Sequence, residues 1–209
     1  MAAFRAAIAV GAGIECDVRL SADDVPMIFH DADLKRLCGE SGSVERLSAA
    51  TLAGKRQLGT RETIPRLADL IMLAAGRGPL LIECKTRGNP ARLAEAVCRT
   101  LGARPGPVGV MSFDPRIGGW LARHRPDLRR GLVLDGNDNV LVRWAKMLRA
   151  RPHFLAVNVD RLDQPWVQRA RRKMPVYSWT IRTPDQRRTA QADALIWEGA
   201  GKPGNHGRS

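Results

Sequence analysis

The chain has 209 residues, 44% hydrophobic and 26% charged, which places it among globular compositions and excludes disordered or fibrous ones. Lys and Arg outnumber Asp and Glu by 34 to 21, a formal charge of +13, which points to anionic partners and says nothing about fold. The excess is mostly arginine scattered along helical stretches with few aromatics between them, which argues against nucleic acid. No run approaches the ~20 continuous apolar residues of a membrane span.

In chain order, a helix is expected over Ala2–Val10, closed by Gly11, and a strand over Ile14–Leu20. Further β-type runs follow at Leu80–Lys85, Val108–Phe113, Arg130–Leu134, Phe154–Val159, Val176–Ile181 and Ala194–Trp197. Helical patterns separate them at Ile64–Ala75, Pro90–Leu101, Pro115–His124, Asn139–Ala150, Gln164–Lys173 and Pro184–Gln191, several opened by proline or a polar cap. This alternation predicts βα units around a parallel sheet, and one barrel fits the length, since such barrels take roughly 200–250 residues.

One further run, Val25–His30, follows the first strand after only Ser21–Asp24. A parallel crossover needs a dozen or more residues, so this run must be antiparallel or a protruding hairpin, and cannot be a stave. The parallel strands then number seven, one short of a closed barrel, and strands Ile14–Leu20 and Ala194–Trp197 are expected to flank an open seam. A barrel domain over residues 1–199 and a disordered tail over 200–209 complete the organisation. Cys16, Cys38, Cys84 and Cys98 lack C-x-x-C spacing, as reduced thiols in the cytoplasm would.

Glu15 and Asp17 are two apart in an apolar strand, so both carboxylates share one face, and Glu83 and Lys85 repeat the arrangement. Carboxylates gathered at the C-terminal ends of barrel strands are costly unless paired or bound to a cation, and oxygen donors suit Mg²⁺ or Ca²⁺. The competing reading pairs Glu15 with Arg19, and Glu83 with Lys85 or Arg87, as ordinary salt bridges. His30 closes an apolar run beside Asp31, which could orient it for acid/base work. His124 and His153 fall at the opposite end of the barrel. Trp179 and Phe113 close strands and could wall a small slot, with Asn158, Asp160 and Glu198 as weaker candidates, and Lys85 could meet a phosphate as a point charge.

Taken together, Gly13–Ser21, Asp24–Asp31, the Ile-Pro-Arg-Leu at 64–67, Leu80–Lys85, Ser112–Asp114 and Ser178–Thr180 resemble the glycerophosphodiester phosphodiesterase family. The motifs occur in the family's order and run from Phe4 to about Gly199. The resemblance implies a TIM (β/α)8 barrel that uses a divalent metal, Mg²⁺ or Ca²⁺, to hydrolyse small glycerophosphodiesters to an alcohol and glycerol 3-phosphate, in lipid metabolism. It implies metal ligation by Glu15, Asp17 and Glu83, catalysis by His30, and substrate binding by Lys85 and Trp179. It also implies that segment 24–62 is an insertion.

The family begins with a strand ending in His-Arg-Gly, then a Pro-Glu-Asn-Thr segment and a helix resembling Ala2–Gly11. The first of its two catalytic histidines is therefore not matched, which agrees with the strand count. A misplaced start, a truncated gene or a degenerate paralogue would produce this pattern. A barrel that only binds phosphate or metal, and an unrelated metal-dependent lyase or isomerase, remain the alternative readings.

Overall fold

A computed structural model describes residues 1–103 and 106–203 of the chain. The parallel strands are β1 (Ile14–Leu20), β3 (Leu80–Cys84), β4 (Val108–Ser112), β5 (Arg129–Leu134), β6 (Phe154–Asn158), β7 (Val176–Ile181) and β8 (Ala194–Trp197). They follow one another in sequence order through a single curled sheet, and the short β2 (Pro26–Ile28) runs antiparallel on the far side of β1. The fold is a TIM-type barrel left open along one seam.

Helices alternate with the strands: α1 (Ala2–Ala9) before β1, α4 (Leu67–Ala74) before β3, then α5 (Pro90–Leu101), α6 (Pro115–His124), α7 (Val140–Ala150), α8 (Pro165–Arg171) and α9 (Pro184–Thr189). Their starts follow from local chemistry. Asn89 accepts hydrogen bonds from the Ala91 and Arg92 amides ahead of α5, Asp114 caps α6 and Thr183 caps α9, each followed by a proline whose missing N–H costs nothing there. No helix among the described residues is long and apolar enough to cross a membrane.

Strand alternation sorts side chains into two layers. Cys16, Val18, Ile82, Cys84 and Val110 face outward and are buried with Leu70, Leu93, Val97 and Leu121 beneath the helices. Inside the barrel, Met111, Val133, Phe154 and Ala156 form a separate cluster with Leu81, Tyr177 and Ile196 against it. The Phe154 ring fills the space that Gly131 leaves open: a Cβ on Gly131 would lie 2.3 Å from it.

Residues 21–66 leave the barrel at the mouth and carry their own core of Met27, Phe29, Leu34, Val44, Leu52 and Ile64. Sequence patterning leaves most of this excursion without elements, whereas the structure forms α2 (Lys35–Cys38) and α3 (Ala49–Ala53) in it. Ile64 belongs to this core and α4 begins only at Leu67, because Pro65 disfavours helix in the residue before it. β1 is not a bare edge as expected: its upper half pairs with β2 through Val18↔Ile28 and Leu20↔Pro26, so only its lower half faces the seam. The expected tail begins in an ordered 3-10 turn, Gly199–Gly201, whose buried Gly201 carbonyl accepts a hydrogen bond from Arg187 Nε at 2.6 Å; residues 204–209 lie outside the described residues.

Candidate active site

The parallel pairing of β1 with β3 sets Asp17 directly beside Glu83 and Val18 beside Cys84. Inward alternation then places Glu15, Asp17 and Arg19 in one column and Leu81, Glu83 and Lys85 in the next. One oxygen each from Glu15, Asp17 and Glu83 lie within 4.8 Å of one another. Lys85 Nζ stands 3.2 Å from Asp17 Oδ1 and 3.0 Å from Glu83 Oε1, and is the cation found in direct contact with this group.

The electrostatics follow from that count. Burial first, then the charges of Asp17 and Glu83, push the Glu15 carboxyl up to about 9, with Lys85 pulling the other way. Burial likewise raises Glu83, against the pull of Lys85. Burial works against the Lys85 ammonium, but Glu83 and Asp17 outweigh it and its pKa is raised. Glu83 Oε1 is buried, and apart from the Lys85 ammonium at 3.0 Å it has no polar partner among the described contacts. Three hard oxygen donors with excess negative charge fit a divalent cation, whose oxygen ligands stand ~2.0 to 2.6 Å from it.

His30 lies across the mouth, at the end of the β2 run. Its Nδ1 is 2.7 Å from Asp31 Oδ1 and its Nε2 is 3.1 Å from Lys85 Nζ. The carboxylate only accepts and the ammonium only donates, so the pattern fits the tautomer with its proton on Nδ1 and a free pair on Nε2. Arg36 grips Asp31 from the other side at 2.6 and 2.7 Å and, with His30, holds that carboxyl down at about 2.

Trp179 on β7 meets Phe113 edge to face at 5.7 Å, and Phe113 lies under Lys85 with the ammonium 5.9 Å from its ring centre. The indole Nε1 of Trp179 is buried without a hydrogen-bond partner. The two aromatics form a wall next to the lysine, with the indole N–H of Trp179 buried in it.

All six expected residues thus gather at one end of the barrel, linked in the chain Glu15, Asp17, Glu83, Lys85, His30, with Trp179 reached through Phe113. The weaker candidates do not join them by contact: Asn158 caps the turn at Asp160 and Glu198 pairs with Arg182 at 2.6 Å. The salt-bridge alternative holds for Glu83 with Lys85 and fails for Glu15. Arg19 instead donates to the His30 carbonyl at 2.9 Å, reaches the Lys85 carbonyl at 3.5 Å and lies 3.7 Å from Glu45. Arg19 is the positioning residue that sequence reading missed, although its place in the Glu15–Asp17–Arg19 alternation was a signal. Glu45 had none: its link to the mouth, through the Arg87 amide at 3.0 Å, spans 42 positions.

Comparison with known proteins bears on the family and the fold. The profile of the glycerophosphoryl diester phosphodiesterase family matches residues 1–197. A curated relative, "Probable glycerophosphodiester phosphodiesterase 2" of Mycobacterium tuberculosis, is 43% identical over 72 residues, which are 34% of this chain and 27% of the relative. The matched stretch thus spans about a quarter of that relative's length. Among solved structures, an Oleispira antarctica phosphodiesterase in complex with the product sn-glycerol-3-phosphate superposes with a TM-score of 0.82 at 22% identity, covering 96% of this chain and 87% of that one. The Thermotoga maritima glycerophosphodiester phosphodiesterase gives 0.76 at 24% identity, covering 94% and 86%. At these identities the two structures speak for the fold, and the sequence profile for the family. The chain belongs to the glycerophosphoryl diester phosphodiesterase family.

Proposed function

We propose that the chain hydrolyses small glycerophosphodiesters to an alcohol and glycerol 3-phosphate with a divalent metal, Mg²⁺ or Ca²⁺, as part of lipid metabolism in the cytoplasm. The observation that carries this reading is the joining of Glu15, Asp17 and Glu83 to a lysine and an imidazole at one mouth. The unpaired cysteines agree with a reducing compartment. The Oleispira product complex supports the substrate class.

Glu15, Asp17 and Glu83 would hold the ion, which when bound neutralises phosphate charge and lowers the barrier to attack. Lys85 offers a further positive charge to a phosphate oxygen at the same place. His30 Nε2 is the proton carrier: its free pair takes the proton of the attacking water as the water oxygen bonds phosphorus, and the resulting imidazolium gives that proton to the departing alkoxide as the phosphorus–oxygen bond to it breaks. Asp31 fixes the ring and its tautomer, and Arg36 fixes Asp31. Phe113 and Trp179 would exclude water from one side and wall the glycerol slot.

The test is release of glycerol 3-phosphate from a deacylated phospholipid headgroup, with Mg²⁺ or Ca²⁺ and again with a chelator. Hydrolysis that the chelator abolishes supports the reading. A second reading, a barrel that binds phosphate or metal without turnover, is favoured by one observation: among the described contacts a single imidazole, His30, reaches the mouth, and it does so through Lys85. Metal binding by calorimetry without product release would decide for it.

A further inference from the structure

Nine large hydrophobic residues are exposed among the described residues, and five of them, Val140, Leu141, Val142, Trp144 and Leu148, belong to α7. Leu141, Trp144 and Leu148 recur at the helical spacing of three and four, so they line one face, with exposures of 77, 63 and 56%. The reverse side of the helix is fixed. Gly118 and Gly119 of α6 admit its last turn so closely that a Cβ on Gly118 would lie 2.7 Å from the Ala150 carbonyl oxygen. Met147 packs into the core, Arg143 stacks on Trp166 at 4.4 Å, and Lys146 is held by Asp138 at 2.7 and 2.8 Å. The apolar stripe is therefore presented on a rigid helix.

Its charge setting identifies the partner. Of the four Lys or Arg in 139–159, Lys146 is paired with Asp138, whereas Arg149 and Arg151 at the end of the stripe make no salt bridge among the described residues. A second copy fits poorly, because isologous pairing would set this basic segment against itself in a chain of formal charge +13. A bilayer containing anionic lipid meets both features: leucines enter the acyl boundary, tryptophan sits at headgroup level, and arginines meet lipid phosphates. We infer that the outer face of α7 docks the protein on an anionic membrane surface.

The experiment is vesicle flotation of the whole chain with phosphatidylcholine alone and with added phosphatidylglycerol, across a salt series. Binding is expected only with the anionic lipid and falls as salt rises. Joint replacement Leu141→Ser, Trp144→Ser and Leu148→Ser should lower it at least tenfold. Arg149→Gln and Arg151→Gln should each lower it about fivefold. Arg56→Gln with Arg61→Gln, on the exposed excursion far along the chain, should leave it nearly unchanged. Should the triple variant fold poorly by circular dichroism, Trp144→Phe serves instead: a blue shift of fluorescence on vesicle addition should be present in the parent and absent there. The inference is overturned by equal binding to both vesicle types, by an equal loss in the Arg56/Arg61 variant, or by an unchanged shift in Trp144→Phe. A dimer seen by light scattering that the triple variant dissociates would overturn it in favour of a second copy.

Discussion

The sheet has two sides of different character. Along β3, β4, β5 and β6 every strand is paired on both edges in continuous register, and Ile82, Val110, Leu132 and Val157 are wholly buried. At β8 the strand has one neighbour, all four residues keep partial exposure, and pairing with β7 shifts between Ser178 and Ile181. A cavity of about 500 Å³ lies between β8, the lower half of β1 and α1, lined by Phe4, Ala7, Ile14, Ile196 and Trp197. The helix above it, α1, has no buried residue. The contrast teaches that two-sided strand pairing, more than apolar composition, dries the layer beneath the helices, since the seam is lined by equally apolar side chains.

The largest effect should come from the paired side. Phe154→Ala removes the ring that fills the space above Gly131 and should cost about 3–5 kcal/mol in urea unfolding, whereas Ile196→Ala at the seam should cost less than about 1.5 kcal/mol. Equal costs would erase the distinction. Glu83→Gln, on a strand held from both edges, should lower glycerol 3-phosphate release on the order of 10³-fold, with Glu15→Gln losing less because its strand can relax toward the seam. Kinetics at saturating metal check the ordering.

Filling the seam should strengthen its side. A strand-forming segment joined ahead of α1 would pair with β8 and the lower half of β1 and should raise the melting temperature by roughly 2–4 °C per kcal/mol gained. If that strand also carries a histidine to the mouth, hydrolysis should rise roughly 10²-fold or more. An unchanged melting temperature would mean that the seam is already satisfied. A further effect is on pH. Glu15 is raised to about 9 in the folded chain against an ordinary value near 4.5, so the folded state holds an extra proton between those limits. Metal-free stability should therefore be full below about pH 4.5 and decline as pH rises toward 9, and added Mg²⁺ or Ca²⁺ should flatten that slope in thermal melts.

Most of the fold was legible because parallel strands buried on both faces leave apolar runs that the intervening caps and prolines punctuate. The spacing of Glu15, Asp17, Glu83 and Lys85 likewise follows from strand alternation alone. His30 was legible from its place after an apolar run, and its neighbour Asp31 from adjacency. The excursion was not, because α2 and α3 are too short for a periodic signal and owe their shape to the small core around Leu34 and Leu52. Register also escaped the sequence: nothing in Pro26–Ile28 says that it would cover only the upper half of β1.

Arg19 has a consequence for how the protein is made. Its contacts reach His30, 11 positions away, and Lys85, 66 positions away. The excursion can gather its own short-range core and pair β2 with β1 as soon as residue 66 has left the ribosome, whereas the contact of Arg19 with Lys85 waits for β3. The imidazole is oriented within the excursion by Asp31 and Arg36, and only its Lys85 neighbour arrives later. A nascent chain arrested before β3 would hold the histidine in a formed lobe without Glu83 and Lys85 beside it.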